Sequence, residues 1–542
     1  MKDLRACIRS LWGMSAPVRW RMCVSVVIGI VRIAASLSFV AVSKWLVDIA
    51  TGASSHPIWP VIWIFGGILL LQVGSIVLAN WWDSYNQIKA QNALRIDLFS
   101  HVMKSRWDGR ERFLTGDTIN RLEEDIRVVG DLLCDRIPAF TITILQLIAA
   151  SAYLMMLAPN LLWVLVILMF AAVVGSRMFF RQLRKLMAAI RTRESELQQH
   201  MQESLQHRVL VLTLTNMEKV LEKFGWLQQD IINNTRKRLN YNAVARGLMF
   251  LGFQLGHAAA FLWGVFGIMA GTVTYGTMTA FLQLVGQVQR PIAELGRQIP
   301  AFIQAITSIE RLMELQELEL EQQAKAIQLS GAPEVVVQDV TYTYPGSPTP
   351  VLKHFNGLFP AGSFTVIAGH TGAGKSTLIR LILGLLKPQE GRVTIGGHLA
   401  GAALRSNFMY IPQGNSLLSG TIRSNLQLAA PTASEETLKQ ALEHAQAGFV
   451  MDLPDGLDTP CGEVGSGLSE GQCQRIAIAR ALLRPGGVLI LDESTSSLDG
   501  ATEQQLLDTL HKLYHGQKTI LFISHRPAAM QYADQMLTLD HA

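Results

Sequence analysis

Hydrophobic positions come in long unbroken runs over the first three hundred residues and in short ones afterwards. Runs long enough to cross about 30 Å of hydrocarbon lie at Met22–Ile49, Ile58–Asn80, Ile137–Leu157, Leu161–Phe180, Gly247–Ala270 and Gly276–Ile299. They predict six transmembrane helices. The connectors Ala50–Pro57, Ala158–Asn160 and Gly271–Tyr275 contain no Lys or Arg, whereas the N-terminus and the segments after the second, fourth and sixth runs are rich in both. The positive-inside rule then places both termini in the cytoplasm. The inner connectors, Asp83–Arg136 and Arg181–Arg246, exceed fifty residues each and are polar and helix-forming. They predict membrane helices prolonged into the cytoplasm and paired as hairpins.

Beyond residue 300 the pattern changes to short apolar runs alternating with amphipathic ones, as in a globular α/β domain. Glu314–Ala332 is charged and Gln-rich, reads as a helix leaving the membrane, and ends in a Ser-Gly-Ala-Pro turn. The predicted organisation is an interfacial amphipathic helix over 1–20, a transmembrane domain over 21–313, a linker over 314–333 and an α/β domain over 334–542, which its glycine-rich Gly369–Thr377 motif makes a nucleotide-binding domain. With that motif, the fold class is a membrane α-helical bundle followed by an α/β P-loop ATPase. No internal repeat is evident, so any two-fold assembly needs a second chain.

Composition agrees: 49% of the 542 residues are hydrophobic and 16% charged, with mean hydropathy +0.25. The net charge of +5 is read as cytoplasmic topology signal rather than as a nucleic-acid surface. Five cysteines, Cys7, Cys23, Cys134, Cys461 and Cys473, show neither metal-ligand spacing nor a disulfide framework and read as packing residues.

Two motifs carry the chemistry. Gly369-His-Thr-Gly-Ala-Gly-Lys-Ser-Thr377 is a phosphate cradle between a predicted strand (Ser363–Ala368) and helix (Ser376–Leu386). Gly369, Gly372 and Gly374 let backbone N–H groups face phosphates, Lys375 reaches the outer ones, Thr377 completes the turn, and Ser376 is a Mg²⁺ ligand. Leu468-Ser-Glu-Gly-Gln472 stands just ahead of Val488-Leu-Ile-Leu-Asp-Glu493. Together these resemble the ABC transporter superfamily, and specifically exporter-type half-transporters with six helices fused ahead of one ATPase.

That resemblance implies ATP and Mg²⁺ as cofactors and a role for each matching residue. Asp492 would hold Mg²⁺, Glu493 would be the general base, and Gln413, in Tyr-Ile-Pro-Gln, would sense Mg²⁺. His525, in Phe-Ile-Ser-His-Arg, would bond the γ-phosphate, and Tyr344 would stack on adenine, with Tyr342 as substitute. Ser469, Gly471 and Gln472 would meet the ATP bound on a partner, and Asp499 would lie in a loop crossing the dimer interface. Glu463 resembles an element that touches the inner loops, and Phe113–Leu122 and Thr215–Trp226 resemble two coupling segments. Glu470 departs from the family's usual Gly; an acid there either repels phosphate or points into solvent.

The implied partners are a second copy or a homologous half-transporter, membrane lipid, and a small-molecule, lipid or peptide substrate, without nucleic acid. The implied location is a bacterial inner membrane, with the ATPase cytoplasmic. Polar residues within the spans are cavity candidates: Arg32, Lys44, Gln146, Gln254, His257, Gln283 and Gln287. Export is the leading expectation; import on the same fold, and an ATP-gated channel or regulator, stay open.

Overall fold

The computed structural model describes residues 4–107, 115–214, 217–322, 324–461 and 467–539. The chain divides into two units, Met1–Phe99 with Ile119–Leu315, and Ser100–Thr118 with Gln316–Ala542.

The first unit is helical. Leu4–Met14 precedes the long helices Arg19–Ala50 and Ile58–Lys104. A further helical run, Gly116–Leu157, includes two π-helical turns, Arg121–Asp125 and Leu132–Arg136. Pro159–Arg177 and Phe180–Gln206, Met217–Met269 and Tyr275–Gln316 complete the bundle. The prolonged helices expected from the polar connectors are present: Met217–Met269 alone has 53 residues.

Among the described residues four helices are long and apolar enough to cross a bilayer, or five if Pro159–Gly175 and Phe180–Gln206, bent by 42°, count as one span. The sixth expected span lies in Tyr275–Gln316, which does not reach that hydropathy because Gln283, Gln287, Gln289, Arg290 and Glu294 dilute it. Its apolar residues Ala280, Phe281, Leu284, Val285 and Val288 repeat at helical spacing and are buried against Val40, Leu154, Leu165 and Ala260. This helix is packed by its neighbours. Close approach is made possible by glycine: a Cβ at Gly256 would lie 2.1 Å from Gln289 Nε2, and one at Gly252 2.5 Å from Ala172 Cβ.

Ionic contacts join Arg121 and Asp125 to the C-terminal turns of Tyr275–Gln316. Asp125, fully buried, accepts from Ser308 Oγ and Arg311 Nη2, each at 2.7 Å. Arg121 donates to Arg311 O and to Glu314 Oε2, each at 2.8 Å. Of the proposed cavity residues, Lys44 pairs with Asp48 at 3.4 Å, His257 bonds its own helix at Phe253 O, and Gln287 donates to Ser36 O at 3.4 Å. Gln254 is exposed on this chain, and Gln283 Oε1 is buried without a partner among the described residues.

The second unit is built on a parallel sheet of order β11-β3-β10-β9-β6, where β3 is Phe364–Gly369, β6 Phe408–Ile411, β9 Val488–Asp492, β10 Thr519–Ile523 and β11 Gln535–Leu539. Every residue of β9 and β10 is buried, as expected of strands covered on both faces. A second, antiparallel sheet has the order β2-β1-β4-β5, with β1 Val335–Tyr342, β2 Leu352–Phe359, β4 Glu390–Ile395 and β5 His398–Leu399. A short pair, β7 Gly420–Thr421 and β8 Pro460–Cys461, completes the strands.

Three expectations change. The helix after the cradle is Lys375–Ile382, closed by Gly384 at φ +63°, so it stops short of Leu386. The segment after Gln316 is extended rather than helical: Ser105 and Leu320 form an antiparallel bridge, and Arg106 N donates to Glu319 O at 2.7 Å. Ser105–Trp107 belongs to this unit, with Trp107 packed on the core and under Arg380 at 5.0 Å. Phe113, Thr215 and Glu463 lie outside the described residues. Four cysteines are buried, but Cys23 is exposed rather than packed.

Candidate functional site

Sheet order assembles the site. β3 lies between β11 and β10, and β10 between β3 and β9, so the cradle after β3, Asp492 and Glu493 after β9, and His525 after β10 emerge side by side. Crevices at the carboxyl ends of such strands are where open α/β sheets bind ligands.

The cradle is shaped by glycine. Gly369, Gly372 and Gly374 have φ of +147°, +88° and +93°. A Cβ on Gly369 would meet Leu539 O at 2.5 Å. Lys375, buried at the helix start, donates from Nζ to Gly369 O at 2.6 Å and His370 O at 3.2 Å, and meets His525 Nε2 at 2.8 Å. An ammonium can only donate, so His525 Nε2 accepts and its ring proton sits on Nδ1. Thr377 is buried and Ser376 half-buried.

Glu493 follows the last residue of β9 with φ +48°, a strained value for a side-chain-bearing residue. Gln413 Nε2 donates to its Oε2 at 2.7 Å, and His525 Nε2 stands 3.8 Å from its Oε1. Asp492 is buried; Tyr410 OH reaches its Oδ2 at 3.5 Å, while Oδ1 is buried with no partner among the described residues. Burial first, then the neighbouring Glu493 charge, holds the Asp492 carboxyl above the usual carboxylate range. Burial likewise, with help from Asp492, pushes the Tyr410 phenol up to about 12.

The orphaned Asp492 oxygen fits a cation. Among the described residues no group of three or more His, Cys, Asp or Glu could hold a metal by itself.

Tyr344 OH lies 3.1 Å from Thr377 Oγ1 and accepts from Arg380 Nη1 at 3.1 Å, which fixes the ring beside the cradle helix. Tyr342 is buried edge-on to it, with centroids 5.1 Å apart, so Tyr342 serves the core and cannot substitute at the surface.

The second motif forms a separate cluster. Ser469 caps helix Glu470–Leu482, its Oγ accepting from Gln472 N at 3.2 Å while Gln472 Oε1 accepts from Ser469 N at 2.8 Å. None of Ser469, Gly471 and Gln472 is hydrogen-bonded to Lys375, Glu493 or His525 among the described residues. A Cβ at Gly471 would stand 2.7 Å from Ser497 O, so the motif abuts the 496–499 loop. Glu470 is exposed in the first turn, where a negative charge is favourable to the helix dipole. Asp499 caps helix Gly500–Tyr514 by accepting from Thr502 N at 3.0 Å, and these bonds hold its carboxyl below the usual range.

Sequence reasoning passed over the residues that brace this loop. Arg526 donates to Leu498 O at 2.9 Å, Ser496 O at 2.7 Å and the buried Glu503 at 2.8 Å, and Thr495 Oγ1 donates to Glu503 at 2.6 Å. Gln474 adds bonds to Ser496 and Ser497 N. The available signal was an acid four residues beyond a cap and an Arg directly after the site histidine.

The family model described as the ABC transporter transmembrane region matches residues 22–292, half of the chain, and the ABC transporter model matches 352–496. The ATP-dependent lipid A-core flippase of Vibrio cholerae is 28% identical over 98% of this chain and 93% of that protein. A putative multidrug export ATP-binding/permease protein of Bacillus subtilis, YgaD, is 25% identical over 97% of this chain and 93% of that protein. The structure of a bacterial Atm1-family ABC exporter with ATP bound superimposes with TM-score 0.78 at 24% identity, covering 97% of this chain and 94% of that one.

Proposed function

The chain belongs to the ABC transporter family and carries that family's membrane region and ATPase in one polypeptide, and from this premise we propose that it is an ATP-driven exporter of an amphipathic solute, lipid or peptide, working as a dimer. It is an integral membrane protein that binds ATP and couples its hydrolysis to transport. The observation that carries the catalytic reading is the convergence of Gln413, Glu493, His525 and Lys375 at neighbouring strand ends.

In this reading the backbone of 369–377 and Lys375 hold the phosphates, Lys375 exchanging its carbonyl contacts for phosphate oxygens. Ser376, Gln413 and Asp492 would hold Mg²⁺, which when bound neutralises charge on the transferring phosphoryl group. Glu493 Oε1 accepts the proton of the attacking water while Gln413 fixes the other carboxylate oxygen. His525, freed from Lys375 and carrying its ring proton on Nε2, would donate to the γ-phosphate. Ser469, Gly471 and Gln472 serve the ATP of a second copy or a homologous half-transporter. Closing two ATPase units over two nucleotides then stabilises one access state of the membrane cavity over the other.

The inferred setting is a bacterial inner membrane with the ATPase in the cytoplasm. Full-length sibling relatives named as a lipid flippase and a drug exporter favour export of an amphipathic substrate. The test is reconstitution in sealed vesicles with the ATPase units outward, followed by an ATP-dependent flux assay across lipids, peptides and amphipathic dyes. Accumulation inside supports export; loss of preloaded substrate, or an ATP-dependent current without flux, would refute it.

A further inference from the structure

The corner where helices Arg19–Ala50 and Ile58–Lys104 meet carries an arrangement that ATP chemistry does not use. Arg21 is racked between aromatic rings, its guanidinium carbon 5.3 Å from the centroid of Trp20 and 5.7 Å from that of Tyr85. Tyr85 also bears Lys89 Nζ at 5.2 Å and stacks on Trp81 at 5.5 Å, with planes 4° apart. Trp82 Nε1 donates to Arg21 O at 3.3 Å, tying the two helices together beneath the rack.

Two donors here are unspent. Arg21 Nη1 donates to Asn86 Oδ1 at 3.2 Å, which leaves the rest of the fork available. Asn86 is 2% exposed, and its Nδ2, beside that guanidinium, is buried without a partner among the described residues. A buried amide donor without an acceptor costs free energy, which an incoming oxygen would relieve. Of the nearby carboxylates, Asp83 accepts from Ser25 Oγ at 2.7 Å, and Arg136 is shared by Asp131 at 2.9 Å and Asp135 at 3.5 Å.

Depth points to the ligand. The apolar run Ile58–Asn80 rises about 1.5 Å per residue, enough to cross a bilayer, and Trp81, Tyr85 and Lys89 follow it directly. Trp20, Trp81 and Tyr85 are 58%, 61% and 41% exposed, so a belt of amphipathic rings faces outward at headgroup level beside two cations.

We propose that this corner binds the phosphate headgroup of an anionic phospholipid from the inner leaflet, with Arg21 and Lys89 on the phosphate, Asn86 Nδ2 donating to it, and Trp20, Trp81 and Tyr85 around the glycerol. The proposal rests on the cytoplasmic placement of this helix end, but not on the direction of transport.

The test is native mass spectrometry of the full chain equilibrated with equal phosphatidylglycerol and phosphatidylcholine, scoring the lipid retained. A cation near an anionic lipid surface contributes about fivefold, so Arg21→Gln with Lys89→Gln is expected to cut the preference for phosphatidylglycerol by about 30-fold. Arg21→Lys keeps the charge but loses the planar fork between the rings, and is expected to lose preference several-fold. Lys185→Gln, an exposed cation on a different helix, is expected to retain the wild-type preference. Binding of a fluorescent ATP analogue verifies that each variant is folded. Retention unchanged in the double variant overturns the site, as does an equal loss in Lys185→Gln. Equal occupancy by chain-free glycerophosphate overturns lipid as the occupant.

Discussion

Asp492→Asn should stabilise the ligand-free ATPase unit while depriving it of Mg-nucleotide. The wild-type carboxylate is buried, one oxygen lacks a partner among the described residues, and Glu493 is next to it. Removing that charge relieves on the order of 1–3 kcal/mol. Because the folded-state pKa lies above the ordinary carboxylate value, the folded unit favours the protonated acid. Its stabilising contribution is complete below the ordinary pKa and is lost as pH rises through the raised one. The assay is amide hydrogen exchange of β9 and β10 in the full chain without nucleotide, corrected for intrinsic exchange. At neutral pH the variant's strands should exchange about 5- to 150-fold more slowly, following from those energies at about 1.4 kcal/mol per tenfold. Wild-type protection should decline with rising pH across the raised pKa, and the variant should lack that slope. Mg-ATP should add protection to the wild type and little to the variant. Exchange in the ligand-free variant as fast as wild type, with the same pH slope, would refute the reasoning.

Glu493→Gln should retain binding of a fluorescent ATP analogue within about threefold while turnover falls at least about a hundredfold, the scale of a lost general base; wild-type hydrolysis would remove Glu493 from that role. Gly471→Ala places a Cβ 2.7 Å from Ser497 O and must displace the 496–499 loop at a cost of about 1–3 kcal/mol, seen as a matching loss of ATPase rate. Glu470→Gly, by contrast, alters an exposed first-turn acid and should change ATPase rate by less than about twofold, with a loss of helix stability of about 0.3–1 kcal/mol; a large rise in rate would show that the acid obstructs the partner's phosphate. Arg526→Ala strands the buried Glu503 carboxylate and should destabilise the unit by about 3–5 kcal/mol, with Arg526→Ala/Glu503→Gln recovering part of it in thermal unfolding.

Residues whose role is written in a local motif were legible before any geometry: the cradle glycines need positive φ, and they have it. What the motifs could not convey was set by sheet order and packing. Arg526 and Glu503 are far apart in pattern terms and meet because β10 and the helix after Asp499 deliver them to one loop. Tyr342 ends β1 buried while Tyr344 lies just beyond the strand and half-buried, and only where the strand ends separates the two rings. The glutamines of the sixth membrane helix were legible as polar positions, but not their partners: Gln287 donates to Ser36 O and Gln289 to Phe253 O, contacts that only helix packing supplies.

The strain at Glu493 explains why an acid with a side chain stands where glycine would be easier. A residue at φ +48° costs on the order of 1–3 kcal/mol, and glycine would avoid it. The left-handed turn ends β9 abruptly and swings the carboxylate between Gln413 and His525, two groups carried by different strands. An extended residue in register with the buried strand would alternate sides and point elsewhere. The cost is therefore tied to position rather than to stability, and it adds to the unpaired oxygen of Asp492 one residue earlier. Lys375 makes the complementary arrangement, its ammonium held by two loop carbonyls and His525 until phosphate oxygens offer stronger, charge-assisted acceptors. A Mg-nucleotide would answer the Asp492 and Lys375 terms together, which gives its binding a differential hold on the site's geometry. Substituting Glu493 by Gly should thus relax the backbone and still abolish hydrolysis, separating the conformational cost from the chemistry it positions.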